Sequence, residues 1–575
     1  MFLKFNKSKP KESVQKPQRQ FNIPKKTYKF SYLNFYVKLF TFFLFHFSLF
    51  TSHLTAQVQQ EWIKLYPDND PSFTASANAS VLDSLGNIYV TGSAGSSTFS
   101  AYCTVKYSPL GVLQWSHLYL GSNYGGRQAN DIAIDKFGNL FVTGRDNNPG
   151  NNFNYLTVKY DFNGNLQWVK SYDGPRHGYD EAQVIASDNA GNIYVLGLAA
   201  QSSGGESYAL VKYSNDGREL WVRYYSITTS VIYRQDMKVD DSCNIYITSD
   251  YGIAVTAKYD SSGNRLWLAR FPGYGETGSN SLDIDSLHNV YIAGYTKRGI
   301  IGTHLFVLKY NVSGSQEWLK TYNTDTNSEY SYYTAQTVVT NRIGNIYVNG
   351  TYTPNYNLVQ SKLILLKYTY YGNLIWIQKD STEISTGRPV MATIDNNLFM
   401  ACASAVPPYN HAIILIKYDS TGKQLWNTKY YVNGTSIPAD LKLDKDFNIY
   451  ITGPSNLSIC TIKYAQIPMG IIGLNGNFAD KFIFFQNYPN PFNLKTKIRF
   501  QVPLSPPEGG KQMVSLKIYD ILGREVVTLF SSPWRSIGGV TYEVEFDGSD
   551  LASGIYFYKL LTEEYSETKS MILIK

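Results

Sequence analysis

Two landmarks recur eight times, and a third seven times, in fixed order between Asn78 and Tyr464, and a chain built this way folds by placing like units side by side. The first is a turn ending in Asn ahead of a strand, at Asn87, Asn139, Asn192, Asn244, Asn289, Asn345, Asn397 and Asn448, most often reading Gly-Asn-Ile-Tyr-Val. The second is a Lys-Tyr pair closing another strand, at Tyr107, Tyr160, Tyr213, Tyr259, Tyr310, Tyr368, Tyr418 and Tyr464. The third is a Trp eight residues after seven of those Tyr: Trp115, Trp168, Trp221, Trp267, Trp318, Trp376 and Trp426. Successive Trp lie 46 to 58 residues apart, the length of four short strands with their loops.

Within a unit, Asp131–Tyr172 for example, two hairpins are legible. One flanks Asp-Lys-Phe-Gly-Asn and the other Asp-Phe-Asn-Gly-Asn. The leading Asp can accept backbone N–H groups, and Gly takes the positive φ that such a turn requires. Alternation with period two in NLFVT and LTVKY selects strand over helix. Tyr464 has no Trp after it, whereas Trp62 stands ahead of the first unit. A ring can therefore close by pairing residues near 60–66 with those near 440–464, which removes the open sheet edges. The expected fold class is all-β: a β-propeller of four-stranded blades, then a small C-terminal β-sandwich.

The repeat resembles the SBBP family of bacterial β-propeller repeats through its D-x-x-G-N-[IV]-Y-V-T-G pattern, over roughly residues 58–464. That resemblance implies seven blades, whereas the units counted here number eight. Residues 1–56 read as a signal peptide: a basic region, an apolar run from Leu39 to Phe50, then Leu54-Thr55-Ala56. Ten of the 52 basic residues and one of the 45 acidic ones lie in residues 1–38, leaving 42 against 44 beyond them. The near-neutral remainder has no electrostatic footprint for nucleic acid, so none is expected as a partner. Four Cys make no disulfide framework; Cys103 and Cys460 occupy one repeat position and read as buried thiols.

The repeat ends at Tyr464, residues 465–480 read as a linker, and 481–575 as a separate sandwich whose strands alternate in KIRFQV, VSLKIYD, TYEVEFD and GIYFYKLL. This region resembles the C-terminal sorting domain of the type IX secretion system of Bacteroidetes-like bacteria. The match rests on Asn487-Tyr488-Pro489-Asn490-Pro491-Phe492-Asn493, Ile518-Tyr519-Asp520-Ile521-Leu522-Gly523, Leu551-Ala552-Ser553-Gly554-Ile555-Tyr556 and Met571 to Lys575. It implies export across both membranes, contact of 481–575 with the secretion machinery and its sortase-like peptidase, and release or attachment at the outer face of the outer membrane. A cut within 465–480 is expected.

Chemistry is less legible. Asp83, Asp135, Asp188, Asp285 and Asp444 each offer one carboxylate per turn, too few oxygens for a calcium cage, and read as turn caps. Ser214–Trp221 resembles a sialidase Asp-box and Asp419–Trp426 the tryptophan-docking motif of eight-bladed quinoproteins. Both departures in spacing favour Trp as a packing device between blades. Asn78, Asn130, Gln183, Gln235, Asn280 and Gln336 stand five residues before the turn in six of the eight units, at the start of the innermost strand, with Val390 and Ala439 at that place in the last two. They form either a belt of amides bonding neighbouring backbone or a rim facing a ligand. His177, Asp180 and Glu181, in a Gly-rich loop at the same mouth, join them as candidate binding residues. No catalytic triad, metal motif or cofactor site is recognisable. The leading expectation is a secreted or cell-surface binding module for an extracellular protein or glycan. The alternatives are a glycan-active enzyme with its site at the channel mouth and a purely structural surface component.

Overall fold

The computed structural model describes residues 58–575 except 68–72, 97–98, 122–125, 148–151, 202–204, 227–233, 251, 274, 298–301, 324–330, 354–360, 385–388, 395–396, 407–409, 431–433, 467–481, 504–512, 534–540 and 563–564. The leader, and nearly all of the expected linker, lie outside these residues.

Eight four-stranded antiparallel blades make up the repeat region. Blade 1 spans Thr74–Tyr119, blade 2 Gln128–Tyr172, blade 3 Glu181–Ser226 and blade 4 Gln235–Phe271. Blade 5 spans Thr277–Tyr322, blade 6 Tyr332–Ile384 and blade 7 Val390–Tyr430. The first strand of each blade contacts the first strands of both neighbours, so eight inner strands surround a central channel. Blade 8 takes three strands from Asp440–Gln466 and its fourth, Val58–Tyr66, from the other end of the region. The register runs from Val58 opposite Gln466 to Tyr66 opposite Ile459. Ile63 and Leu65 of the closing strand pack on the core of Ile449, Ile451 and Ile462. The ring is closed by strand pairing, as the displaced Trp62 led one to expect.

The inner turns show why the repeat keeps its letters. Asp83 accepts the backbone N–H of Leu85 and of Asn87, each at 2.9 Å, the Asn87 amide at 2.7 Å and the Tyr89 hydroxyl at 3.1 Å. Asp188 is bonded in the same way by Ala190, Asn192 and Tyr194. In blade 2 Phe141 replaces that Tyr, and the Asn215 amide of blade 3 donates to Asp135 instead, at 2.9 Å. Both oxygens of these carboxylates are thus engaged by the turn itself.

Blades are joined at their outer edges by the Trp. Trp168 Nε1 donates to the Asn215 carbonyl at 3.0 Å, and Lys159 Nζ reaches the same oxygen at 2.9 Å. Gly217, at φ 83°, lies so close to Trp168 that a β-carbon there would stand 2.9 Å from the ring. The same seating brings Trp115 to Gly164, Trp221 to Gly263, Trp267 to Gly314, Trp318 to Gly372, Trp376 to Gly422 and, across the closure, Trp62 to Gly111. The Asp-box and quinoprotein resemblances therefore resolve as inter-blade contacts.

The C-terminal region is a sandwich of Ile483–Phe484, Lys495–Gln501 and Thr541–Asp547 against Met513–Tyr519, Glu525–Pro533, Gly554–Leu561 and Ser566–Leu573. Its core holds Phe492, Ile498, Phe500, Leu516, Ile518, Phe546, Leu560 and Met571. The motif segments identified in the sequence meet here. Buried Asn487 donates to Thr496 and Pro489, and its own N–H goes to the Tyr558 hydroxyl. Asn490 accepts the Ile572 N–H at 2.9 Å, binding the strap to the last strand.

Candidate functional site at the channel mouth

In each blade the turns between strands one and two, and three and four, lie at one end of the channel. The starts of the inner strands, and the ends where strand two hands over to strand three, lie at the other. The candidate binding residues Asn78, Asn130, His177, Asp180, Glu181, Gln183, Gln235, Asn280 and Gln336 belong to this second end, the mouth.

Five of the amides, Asn78, Asn130, Gln183, Asn280 and Gln336, are the extra residues of β-bulges, where the pairing register shifts across them. A bulge re-aims its side chain, here along the ring. Asn78 donates to the Ala129 carbonyl at 2.6 Å, Asn130 to Ala182 at 2.8 Å and Asn280 to Ala335 at 2.6 Å, each on the next blade. Gln235 has no bulge and pairs squarely with Ser249; its side-chain amide finds no partner among the described residues.

The loop candidates divide. Asp180 is fully buried, and its two oxygens accept the N–H of Gly174 at 2.6 Å and Ala200 at 2.8 Å. Burial holds its carboxyl above the usual range. It fastens the loop and presents nothing to a ligand. His177 is exposed and its ring meets Asp173 at 2.7 Å. Glu181 accepts Asn130 at 2.9 Å and pairs with Arg145 at 3.2 Å. Arg145 also donates to the Tyr179 hydroxyl at 2.6 Å and lies over Phe153.

A cleft of about 490 Å³ opens among blades 4, 5 and 6, lined by Arg234, Asp250, Glu276, Asn280, Tyr295, Thr334 and Gln336. Two of the predicted amides, Asn280 and Gln336, belong to it. Arg234 donates to Gln336 Oε1 at 2.7 Å, bridging blades 4 and 6. Buried Asp250 accepts the Gly252 N–H at 3.0 Å and the Tyr295 hydroxyl at 3.2 Å. Burial, with Glu276 adding to it, raises the Asp250 carboxyl above its ordinary value. Glu276 pairs with Lys297.

Deeper in the channel are charges that the sequence reading passed over. Asp131 accepts Ile185 N–H of the next blade at 2.9 Å, Asp236 accepts Leu282 at 2.8 Å, Asp283 accepts Thr340 at 2.7 Å, and Asp440 accepts Ser80 at 3.0 Å. Burial pushes Asp131 up to about 7. Burial lowers the Lys238 ammonium, but Asp236, Asp283, Asp131 and Asp440 outweigh it and hold it above its ordinary value. These acids and Lys238 alternate with the apolar residues that enter the blades, such as Ile132. The signal was a polar residue at every second place in strands otherwise chosen for packing. A comparable column supplies two residues of the cleft: Asp250 and Tyr295, like Arg145 of blade 2 outside it, directly follow the second strand's Gly or Ser.

Among the described residues no group of His, Cys, Asp and Glu has a metal-holding arrangement, and no helix is long and apolar enough to cross a membrane. Comparison with known proteins gives two matches by domain. Residues 486–575 match the secretion system C-terminal sorting domain, and residues 114–153 the SBBP beta-propeller repeat. No curated protein matches the chain. Among solved structures, a Dyadobacter fermentans protein of unknown function is 10% identical over 71% of this chain and 99% of that one, with a TM-score of 0.36. A polysaccharide lyase of family PL25, an ulvan lyase, is 11% identical over 63% and 96%, with a TM-score of 0.35. A Bacteroides caccae protein of unknown function is 12% identical over 48% and 90%, at 0.29. Likenesses this distant do not extend those proteins' functions to this chain. What the two domain matches establish is that the chain joins SBBP-type β-propeller repeats to a C-terminal sorting domain of the type IX secretion system, which directs it out of the cell and to the cell surface.

Proposed function

We propose that the protein is a surface-displayed binding module that takes its ligand at the channel mouth, in the cleft among blades 4, 5 and 6. The observation that carries this reading is the convergence of side chains from three blades on one cavity of about 490 Å³, within the usual size of small-ligand sites. Its charged groups are spent on holding the cavity open: Asp250 on Gly252 and Tyr295, Glu276 on Lys297, Arg234 on Gln336. That favours recognition over bond-breaking chemistry. The ligand would be extracellular, a glycan or a protein segment.

The test is retention of the full-length chain on extracellular material. Thr334→Trp should fill the cleft and reduce retention several-fold, while Phe137→Ser, at the opposite end, should leave it unchanged. Equal retention by both variants, with unchanged melting temperature, would remove the cleft from consideration.

One observation favours a glycan-active enzyme as a second reading. Asp250 is a carboxyl held above its usual range beside Glu276, the property of a general acid. Turnover of a glycan panel that is lost in Asp250→Asn would establish that reading in place of the first.

A further inference from the structure

From the chemistry left over in the cleft we infer that its ligand is an uncharged oligosaccharide, an inference that rests on the mouth being the binding face. The charges cancel within the wall. Glu276 is matched by Lys297, and Arg234 lies in the field of Asp250 while bonding Gln336. A phosphate or a polyanion would need a surplus of cations or the N-terminus of a helix, and the described residues contain no helix.

What the wall keeps for a ligand is neutral and mixed in sense. Asn280 has its N–H committed to Ala335, so its side-chain oxygen is the group left to accept. Gln336 has its oxygen committed to Arg234, so its N–H₂ is left to donate. Thr334 adds a hydroxyl that can do either, and Tyr295, whose hydroxyl is spent on Asp250, adds the apolar face of its ring. Alternating donors and acceptors beside an aromatic face match the hydroxyls and C–H face of a pyranose. An apolar peptide would leave these groups unpaired, at a cost of about 1–3 kcal/mol each.

The test is calorimetric titration of the full-length protein with cellotetraose, mannotetraose, xylotetraose and tetragalacturonate. At least one neutral tetrasaccharide should bind. Thr334→Val and Gln336→Leu should each weaken it about tenfold, the loss of one hydrogen bond, while Thr334→Ser retains binding and the Thr334 variants keep the parent melting temperature. Tetragalacturonate should bind more weakly than the neutral sugar. If tetragalacturonate is instead the preferred ligand and the cleft variants abolish it, the uncharged class is wrong although the site stands. If no tetrasaccharide binds, or binding ignores Thr334→Val and Gln336→Leu, the inference is overturned. Should Thr334→Trp also leave retention on extracellular material intact, the binding reading falls with it.

Discussion

Single residues in this protein are held to their identity by backbone geometry more than by their side chains. The inner turns need positive φ at their fourth residue, and Gly86, Gly138, Gly191 and Gly344 supply it. Cys243, His288 and Phe447 occupy the same place at φ 62°, 61° and 64°, where an L side chain costs about 1–2 kcal/mol. Cys243→Gly should therefore stabilise the protein by about 1 kcal/mol, read as a higher midpoint in urea. An unchanged or lower midpoint would show that the half-buried thiol offsets the backbone cost. Asp131 makes the second residue-scale prediction. Its folded pKa of about 7 lies above the ordinary carboxylate value, so between about pH 4 and 7 the folded state binds more protons than the unfolded one. Stability contributed at this site is present in acid and declines as pH rises through that window. In Asp131→Asn the decline should be shallower, as measured by melting temperatures from pH 4 to 8.

At the scale of elements, the outer hairpin and the Trp of the preceding blade form one unit. Trp168 packs its ring on Gly217 and shares the Asn215 carbonyl with Lys159. Trp168→Ala should cost about 3–5 kcal/mol, and a normal unfolding midpoint in that variant would show that the blades are held elsewhere. Blade 7 meets an exception. Its Trp426 faces a blade whose last strand comes from the other end of the region, with no outer hairpin turn, and the indole N–H has no partner among the described residues. Lys417 bonds Gln466 there instead of a turn carbonyl. The recurrence of Trp after Lys-Tyr announced these contacts in the sequence, because each needs the same residue at the same spacing. The bulges under Asn78, Asn130 and Asn280 left no such mark. A register shift depends on which partner residue is skipped, and that is set across strands.

The repeat region is a ring whose stability depends on its last joint. Removing Val58–Tyr66 takes the fourth strand from blade 8, exposes the edge at Ser458–Gln466 and unseats Trp62 from Gly111. The shortened chain should lose cooperative unfolding or aggregate, and an unchanged thermal transition would mean that the ring is held shut by other contacts. The repeat, its strand content, the closing strand and the sorting motifs were all set out by the sequence, because hydrogen-bonded turns and alternating strands are local and their letters recur. Local chemistry alone did not give the site. Arg234, Asp250, Tyr295 and Thr334 come from three blades, so only the packing of blades in the ring brings them around one cleft. The same holds for Asp131, Asp236, Asp283 and Asp440, separated by up to 309 residues along the chain. Each is an ordinary carboxylate in its own strand, and it is burial in the shared channel that raises Asp131 and Asp236 and sets all four acids around Lys238.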